Sequence, residues 1–404
     1  MALVLAVLSL LPMLVGFLTA GDFPQMLFKP PLWLVRVVYG SRYLLIALSL
    51  VLYFSAILVH LLIAPTSIAL LLVIGVLVLV LTFGAFFAEP TLLFPAIQQH
   101  PTWITSELAG AELAPDDLVL VVEVKRDVRA YPVKWMTRPH IVRDTIGGEP
   151  VTMTYCALSH LGKALRAESA DQELKLTVAM QLENNLAYYD HHSKQLVQQI
   201  TGRVLAGKAA RATRSEYPTR MMPWSACSAL YPTAQVFSNP PRSALDRLVV
   251  RFVSSIVDPH LSMASTRVAF PTLKHFDPRL PPKSRVIGVE HQGRHKAYSL
   301  VSALKQPVVN DTVGGLPIVV CYDRVRDIVE VFERTQQAEV LTFHLVSASP
   351  DFIVQDEESQ SQWNIKGEAI AGPAQGQQLQ LYPHASRVLW MIWSNFFPDT
   401  QLDE

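Results

Sequence analysis

The sequence predicts a mainly β soluble region built from two tandem homologous repeats, with α+β as the variant the same pattern allows. An all-α transmembrane segment of about three helices precedes it. Three observations carry this expectation. The apolar residues crowd the front of the chain. The remainder reads as short β-rich runs bounded by turn residues. The phrase "RDTIGGEP" (143–150) returns as "NDTVGGLP" (310–317).

The front comes first. Residues 2–20 and 68–88 are uncharged, and residues 43–64 carry only His60. Roughly 20 apolar residues are what a helix needs to cross the hydrocarbon layer. The second and third runs read as spans. The first reads as a retained span with Pro12 tolerated inside it; "FLTAGDF" leaves cleavage of residues 1–20 as the other reading. His60 is the one ionisable side chain within a run, and its place near the run's end suits the membrane interface.

Charge gives two opposed readings of orientation. Lys29, Arg36 and Arg42 between the first two runs draw that loop toward the cytoplasm. Residues 89–124 contain no Lys or Arg but hold six carboxylates, as an external flank would. The expectation taken is an external soluble region. Zero formal net charge gives no electrostatic case for nucleic acid. Three cysteines are too few for a disulfide scaffold.

The soluble part is written twice. "VVEVKRDVRAYPV" (121–133) aligns with "GVEHQGRHKAYSL" (288–300), and "TGRVLAG" (201–207) with "KGEAIAG" (366–372). "WSACSALYPTAQV" (224–236) aligns with "WMIWSNFFPDTQL" (390–402). The order is kept and the offset barely drifts, which is the signature of an internal repeat. The expected organisation is a first repeat over 89–240, a proline-rich linker over 241–284 and a second repeat over 285–404. Runs such as 118–124 and 150–155 read as strands. Gly147-Gly148 and Gly314-Gly315 sit before the next strand as hairpin turns, because glycine reaches positive φ without steric cost. A cleft shared by the two copies is the default place for a ligand.

Residues 118–404 resemble the bacterial domain-of-unknown-function family 3179. The resemblance rests on "AYP" (130–132), "DTIGG" (144–148), "TYC" (154–156), "YD" (189–190), "NDTVGG" (310–315) and "GEAIAG" (367–372). It also rests on a closing Trp390, Trp393, Pro398, Asp399 and Thr400. Members of that family are often exported, which the resemblance adds to the external placement; with the apolar runs the expectation is a bacterial inner-membrane protein whose soluble region is periplasmic, and the resemblance implies no activity. Where the family reads Cys-Pro-Leu-Cys, this chain has Cys156-Ala157-Leu158-Ser159, so the second thiol is missing. The family's tryptophan before a glutamine is Val197 here, and Cys227 stands where the first closing motif carries its second tryptophan.

Cys156 and His160 are the sharpest chemical candidates. Strand alternation puts Thr152, Thr154 and Cys156 on one face, ending near Ser159 and His160. A thiolate near an imidazole suits nucleophilic or metal chemistry; a buried thiol packing as a small hydrophobe is the plainer reading. A copper or zinc ion would draw on Cys156, His160 and His191, with Asp190 beside them. No Cys-x-x-Cys spacing supports it, and a solvated loop accounts for the same residues. Asn184 reads as a ligand-bonding amide or as a turn cap. Trp224, Trp363, Trp390 and Trp393 read as core anchors or as a sugar- or lipid-binding surface. No Gly-x-Ser-x-Gly or His-Glu-x-x-His pattern points to a hydrolase.

Two functions follow as expectations. The first is a non-catalytic binding or assembly module beside the membrane, its partner being a ligand or another membrane or envelope protein. The alternative is a thiol/imidazole redox or metal-handling protein centred on Cys156 and His160.

Overall fold

The apolar front folds into helices Ala2–Ala20, Arg42–Leu62 and Ile68–Phe86, each long and apolar enough to cross a membrane. In this computed structural model, structure is described for residues 1–22, 27–63, 65–166, 174–207, 215–263, 265, 267–301 and 306–403. Pro12 lies inside the first helix. Small hydroxyls join the helices, with Ser49 Oγ donating to the Ser9 carbonyl at 2.6 Å. In hydrocarbon such a bond satisfies groups that would otherwise have no partner.

The chain divides into two compact units. One holds Met1–Ala96, Leu174–Thr213 and Val268–Lys274; the other holds Ile97–Glu173, Arg214–Arg267 and His275–Glu404. Residues of the segment read as the first repeat therefore enter both.

In the first unit a four-stranded antiparallel sheet runs Val204–Ala206, Gln195–Gln198, Asn185–Asp190, Leu176–Leu182. Its Met180, Ala187, Tyr189 and Leu196 share one apolar core with Met13, Ala20, Val38, Tyr39 and Phe86 of the helical segment. Arg42 is built into this junction. Its guanidinium lies 4.5 Å from the Tyr39 ring, 4.5 Å from Tyr43 and 4.2 Å from Tyr189. Aromatic faces attract a desolvated cation, so the helix starts at a fixed place against the sheet.

The second unit is mainly β. Its first sheet orders Trp103–Thr105, Gln235–Phe237, Asp127–Pro132, Leu118–Val124 and Arg220–Pro223. Another orders Gln401–Asp403, Arg294–Ser299, Arg285–His291 and Ala385–Leu389. In both, a central antiparallel hairpin takes a parallel strand on one side and an antiparallel strand on the other. Each hairpin is followed by a meander. One is Ile141–Ile146, Glu149–Cys156 and Leu161–Arg166; the other is Val308–Val313, Leu316–Asp323 and Ile328–Glu333. Antiparallel sheets of four strands recur as well, the second over Phe343–Ser347, Ile353–Asp356, Gln362–Asn364 and Ala369–Ala371.

Strand Glu149–Cys156 departs from the expected pattern of one polar and one apolar face. Every residue from Val151 to Cys156 is buried, threonines included. Both faces are covered, and Thr154 Oγ1 satisfies itself on the Lys163 carbonyl at 3.0 Å.

The proline-rich stretch holds more than a linker. Helix Ala244–Leu261 starts in it with a reciprocal capping box between Ser243 and Asp246.

Candidate functional site

The repeated phrase is structural in both halves. Tyr131 donates to Asp144 Oδ2 at 3.0 Å, and Tyr298 donates to Asp311 Oδ2 at 2.6 Å. The other oxygen of each aspartate accepts the next threonine's N–H at 2.7 Å. Gly147 and Gly314 both take φ of 57°. A Cβ there would be driven into the carbonyl oxygen of Val124 or His291, so only glycine turns this corner.

Tyr155, Cys156 and His160 lie together at the end of strand Glu149–Cys156. Cys156 is wholly buried and in no disulfide. The chain doubles back so that Cys156 pairs with Leu161, which leaves His160 at φ 55°. His160 Nδ1 lies 3.2 Å from the Tyr155 hydroxyl, and its Nε2 is buried with no hydrogen-bond partner. Burial, helped by the Arg285 and Arg387 guanidinium groups, pushes this imidazole down to about 3. A thiolate–imidazolium pair needs the ring protonated. Here it is neutral, beside a thiol that solvent does not reach.

The second half repeats this arrangement with other chemistry. Tyr322 donates to Asp327 Oδ1 at 3.2 Å, and Asp327 is also at positive φ. Arg387 grips Asp327 through Oδ2 at 2.7 Å and the backbone carbonyl at 3.1 Å. Asp323 stands where the first half has Cys156. It accepts from the Val325 and Arg326 amides at 3.0 and 3.2 Å and pairs with the Arg326 side chain at 2.9 Å.

The sequence candidates Asp190, Asn184 and His191 belong to the other unit and are occupied by local structure. Asp190 caps its turn, accepting from the His192 amide at 3.0 Å and Ser193 Oγ at 2.7 Å. Asp356 does the same through Ser359, and adds the Trp363 indole at 2.8 Å where the first half has Val197. Asn184 clamps the Phe270 backbone with bonds of 2.7 and 2.9 Å. His191 Nε2 lies 3.0 Å from Thr177 Oγ1. Among the described residues no group of three or more His, Cys, Asp or Glu side chains could hold a metal. The copper or zinc set of Cys156, His160 and His191 is thereby corrected: Cys156 and His160 lie together, but His191 belongs to the other unit, where it meets Thr177. Trp390 and Trp393 are core anchors, donating to the Asp277 carbonyl at 3.0 Å and Thr400 Oγ1 at 2.9 Å.

The feature that sequence reasoning did not locate is a cleft of about 720 Å³ in the mainly β unit. Glu123, Arg126, Arg220, Lys366 and Glu368 supply its charges, and Gly376–Leu379 forms a wall. Arg220 opens strand Arg220–Pro223 and is 8% exposed. Its Nη1 lies 3.6 Å from Glu123 Oε2 and its Nε 3.3 Å from Glu330 Oε1, yet Nε makes no hydrogen bond. Tyr231 lies beneath, its ring centre 5.8 Å from the Arg220 guanidinium and 5.4 Å from Lys366 Nζ. The Tyr231 hydroxyl is buried without a partner. Lys366 pairs with Glu368 at 2.8 Å, and Glu368 also accepts from Asn364 at 2.7 Å. Burial pushes the Glu330 carboxyl behind Arg220 up to about 7, with Arg220 opposing the rise.

Three cations, Arg126, Arg220 and Lys366, thus share this opening with Glu123 and Glu368, while Glu330 stands behind Arg220. Glu123 and Arg126 lie in the aligned segment 121–133, and Lys366 and Glu368 in the aligned segment 366–372, but nothing in the string brings these segments together with Arg220.

Compared with known proteins, the family model described as "Protein of unknown function (DUF3179)" matches residues 93–400. No curated protein and no solved structure matches the chain.

Proposed function

This chain belongs to the family described as protein of unknown function DUF3179, and from its own residues we propose that it is a membrane-anchored binding module for a small anionic solute. The single observation that carries the reading is Arg220. A guanidinium nine-tenths buried on the lining of an open cleft is costly unless charged or polar partners complete its hydrogen bonds. An anion does so best, and Arg126 and Lys366 stand at the same opening.

The soluble region descends, in this reading, from a duplication. The matching sheet orders and strand senses support it. So do Tyr155–His160 and Tyr322–Asp327, which occupy corresponding turns. Duplication leaves one chemistry free to diverge, and the cleft draws residues from both halves. The soluble region is placed outside the cytoplasm, in the periplasm of a bacterium. The basic-free flank over 89–124 supports this.

The test is titration of the detergent-purified full chain with acetate and with inorganic phosphate, read by thermal unfolding and calorimetry. Saturable stabilisation by one of them, weakened at least tenfold by Arg126→Ala, is expected. Arg126 lies in an exposed turn, so its loss leaves the fold intact. No saturable response, or an equal one in the variant, overturns the reading.

A further inference from the structure

Helix Ala244–Leu261 has a third side that its fold leaves uncovered. Val249, Val253 and Val257 are buried, at 6%, 4% and 8% exposure. His260, fully buried, holds the last turn through Nε2, 2.6 Å from the Leu158 carbonyl. At the start, Asp246 pairs with Arg138 at 2.6 Å. The helix is therefore pinned at both ends with a fixed rotation. Leu245 and Leu248 stand 54% and 64% exposed, Phe252 is at 37%, and Met263 just beyond the last turn is at 64%. The spacing of three and then four puts the first three in one stripe. Arg247 and Arg251, both exposed, form the neighbouring row, with exposed Arg242 before the cap and Asp258 as the one exposed carboxylate in the helix.

We propose that this stripe rests on the surface of an anionic lipid bilayer, with Leu245, Leu248, Phe252 and Met263 in the acyl boundary and the arginines among the headgroups. A helix with an apolar face beside a basic row is what an interfacial helix requires. The occupant follows from the rest of the chain. Three helices fit to span a membrane hold this segment at high effective concentration over lipid. Arginine matches the negative charge of such a surface. The inference rests on those helices lying in a bilayer, and the test separates the two claims.

The experiment uses the full chain reconstituted in phosphatidylcholine vesicles with and without phosphatidylglycerol. A nitroxide is placed at Leu248→Cys or, as a reference for the spanning helices, at Val76→Cys. The native thiols Cys156, Cys227 and Cys321 are buried and do not compete for label. Power saturation against oxygen and a water-soluble nickel chelate reports the surroundings. At position 248 the oxygen-to-nickel ratio should rise several-fold in the anionic vesicles, and Arg247→Glu with Arg251→Glu should abolish the rise. A nickel-accessible label at 248 in both vesicles, with a lipid-like label at 76, overturns the proposal while leaving the anchor intact. A label at 248 shielded from both reagents means that protein covers the stripe, which also overturns it. A water-like label at 76 removes the anchor and the proposal with it.

Discussion

Arg220 Nε lies 3.3 Å from Glu330 Oε1, and the two side chains are only 8% and 5% exposed. A pair this dry is decided by desolvation as much as by attraction. Burial outweighs the guanidinium, so the Glu330 carboxyl titrates near 7 instead of 4.5.

The first prediction concerns pH. A carboxyl whose folded value is raised contributes stability that is fully present below its unfolded value of about 4.5 and is lost as pH rises through about 7. Replacing it by glutamine removes the titration. Between pH 5 and pH 8, Glu330→Gln should gain on the parent chain by about 3 kcal/mol at most. Denaturant unfolding at both pH values measures this, and parallel profiles would show that Glu330 is ionised throughout.

Removing the cation has the opposite signature. Arg220→Met should destabilise by about 3 kcal/mol or more at pH 8, where it leaves a buried carboxylate alone. At pH 5 the same substitution should cost clearly less, because the carboxyl takes up a proton. A loss independent of pH would mean that packing, not charge, is what Arg220 supplies.

His160 governs the acid side. Its folded value is depressed to about 3 by burial and the two arginines. Its contribution is therefore complete above its unfolded value of about 6.5 and shrinks as pH falls from there toward 3. His160→Asn keeps a side chain that tolerates positive φ and does not titrate. The variant should lose less stability than the parent between pH 7 and pH 4, by on the order of 3 kcal/mol. His140 and His260, each held near 4, keep part of the acid sensitivity in both chains. Thermal unfolding across that range decides it, and an unchanged acid limb would contradict a neutral buried imidazole.

The glycine pairs allow an internal control. Gly147 and Gly148 both have positive φ, but only at Gly147 does a Cβ meet a backbone carbonyl; at Gly148 it meets open space. Gly147→Ala should cost about 3 kcal/mol, and Gly148→Ala about 1 kcal/mol. Equal losses would mean that strain in φ alone sets both.

Much of the fold was legible because it rests on local patterns. Apolar runs of spanning length, β-rich runs closed by Gly-Gly, and an aspartate three residues before each pair were all in the string, and the spanning-length helices and hairpins lie where they pointed. Helix Ala244–Leu261 was missed although "SALD" opens it and apolar residues recur at helical spacing through 257. The prolines on either side of it mask that period. Asp190 and Asn184 look chemical in the string because polar side chains beside an apolar strand read alike whether they close a turn or hold a ligand.

What the sequence determined by itself was therefore the class of each element: which stretches are long and apolar enough to cross a membrane, which pair as strands, which corners demand glycine. These depend on neighbours a few residues away. The tertiary structure decided the rest. It buried Cys156 and kept His160 neutral, took Arg42 into a ring of tyrosines, and brought Arg220 and Lys366 to one cleft, with Glu330 and Tyr231 packed against them. Desolvation and charge pairing depend on what packs against a group from distant parts of the chain, and no local pattern records that.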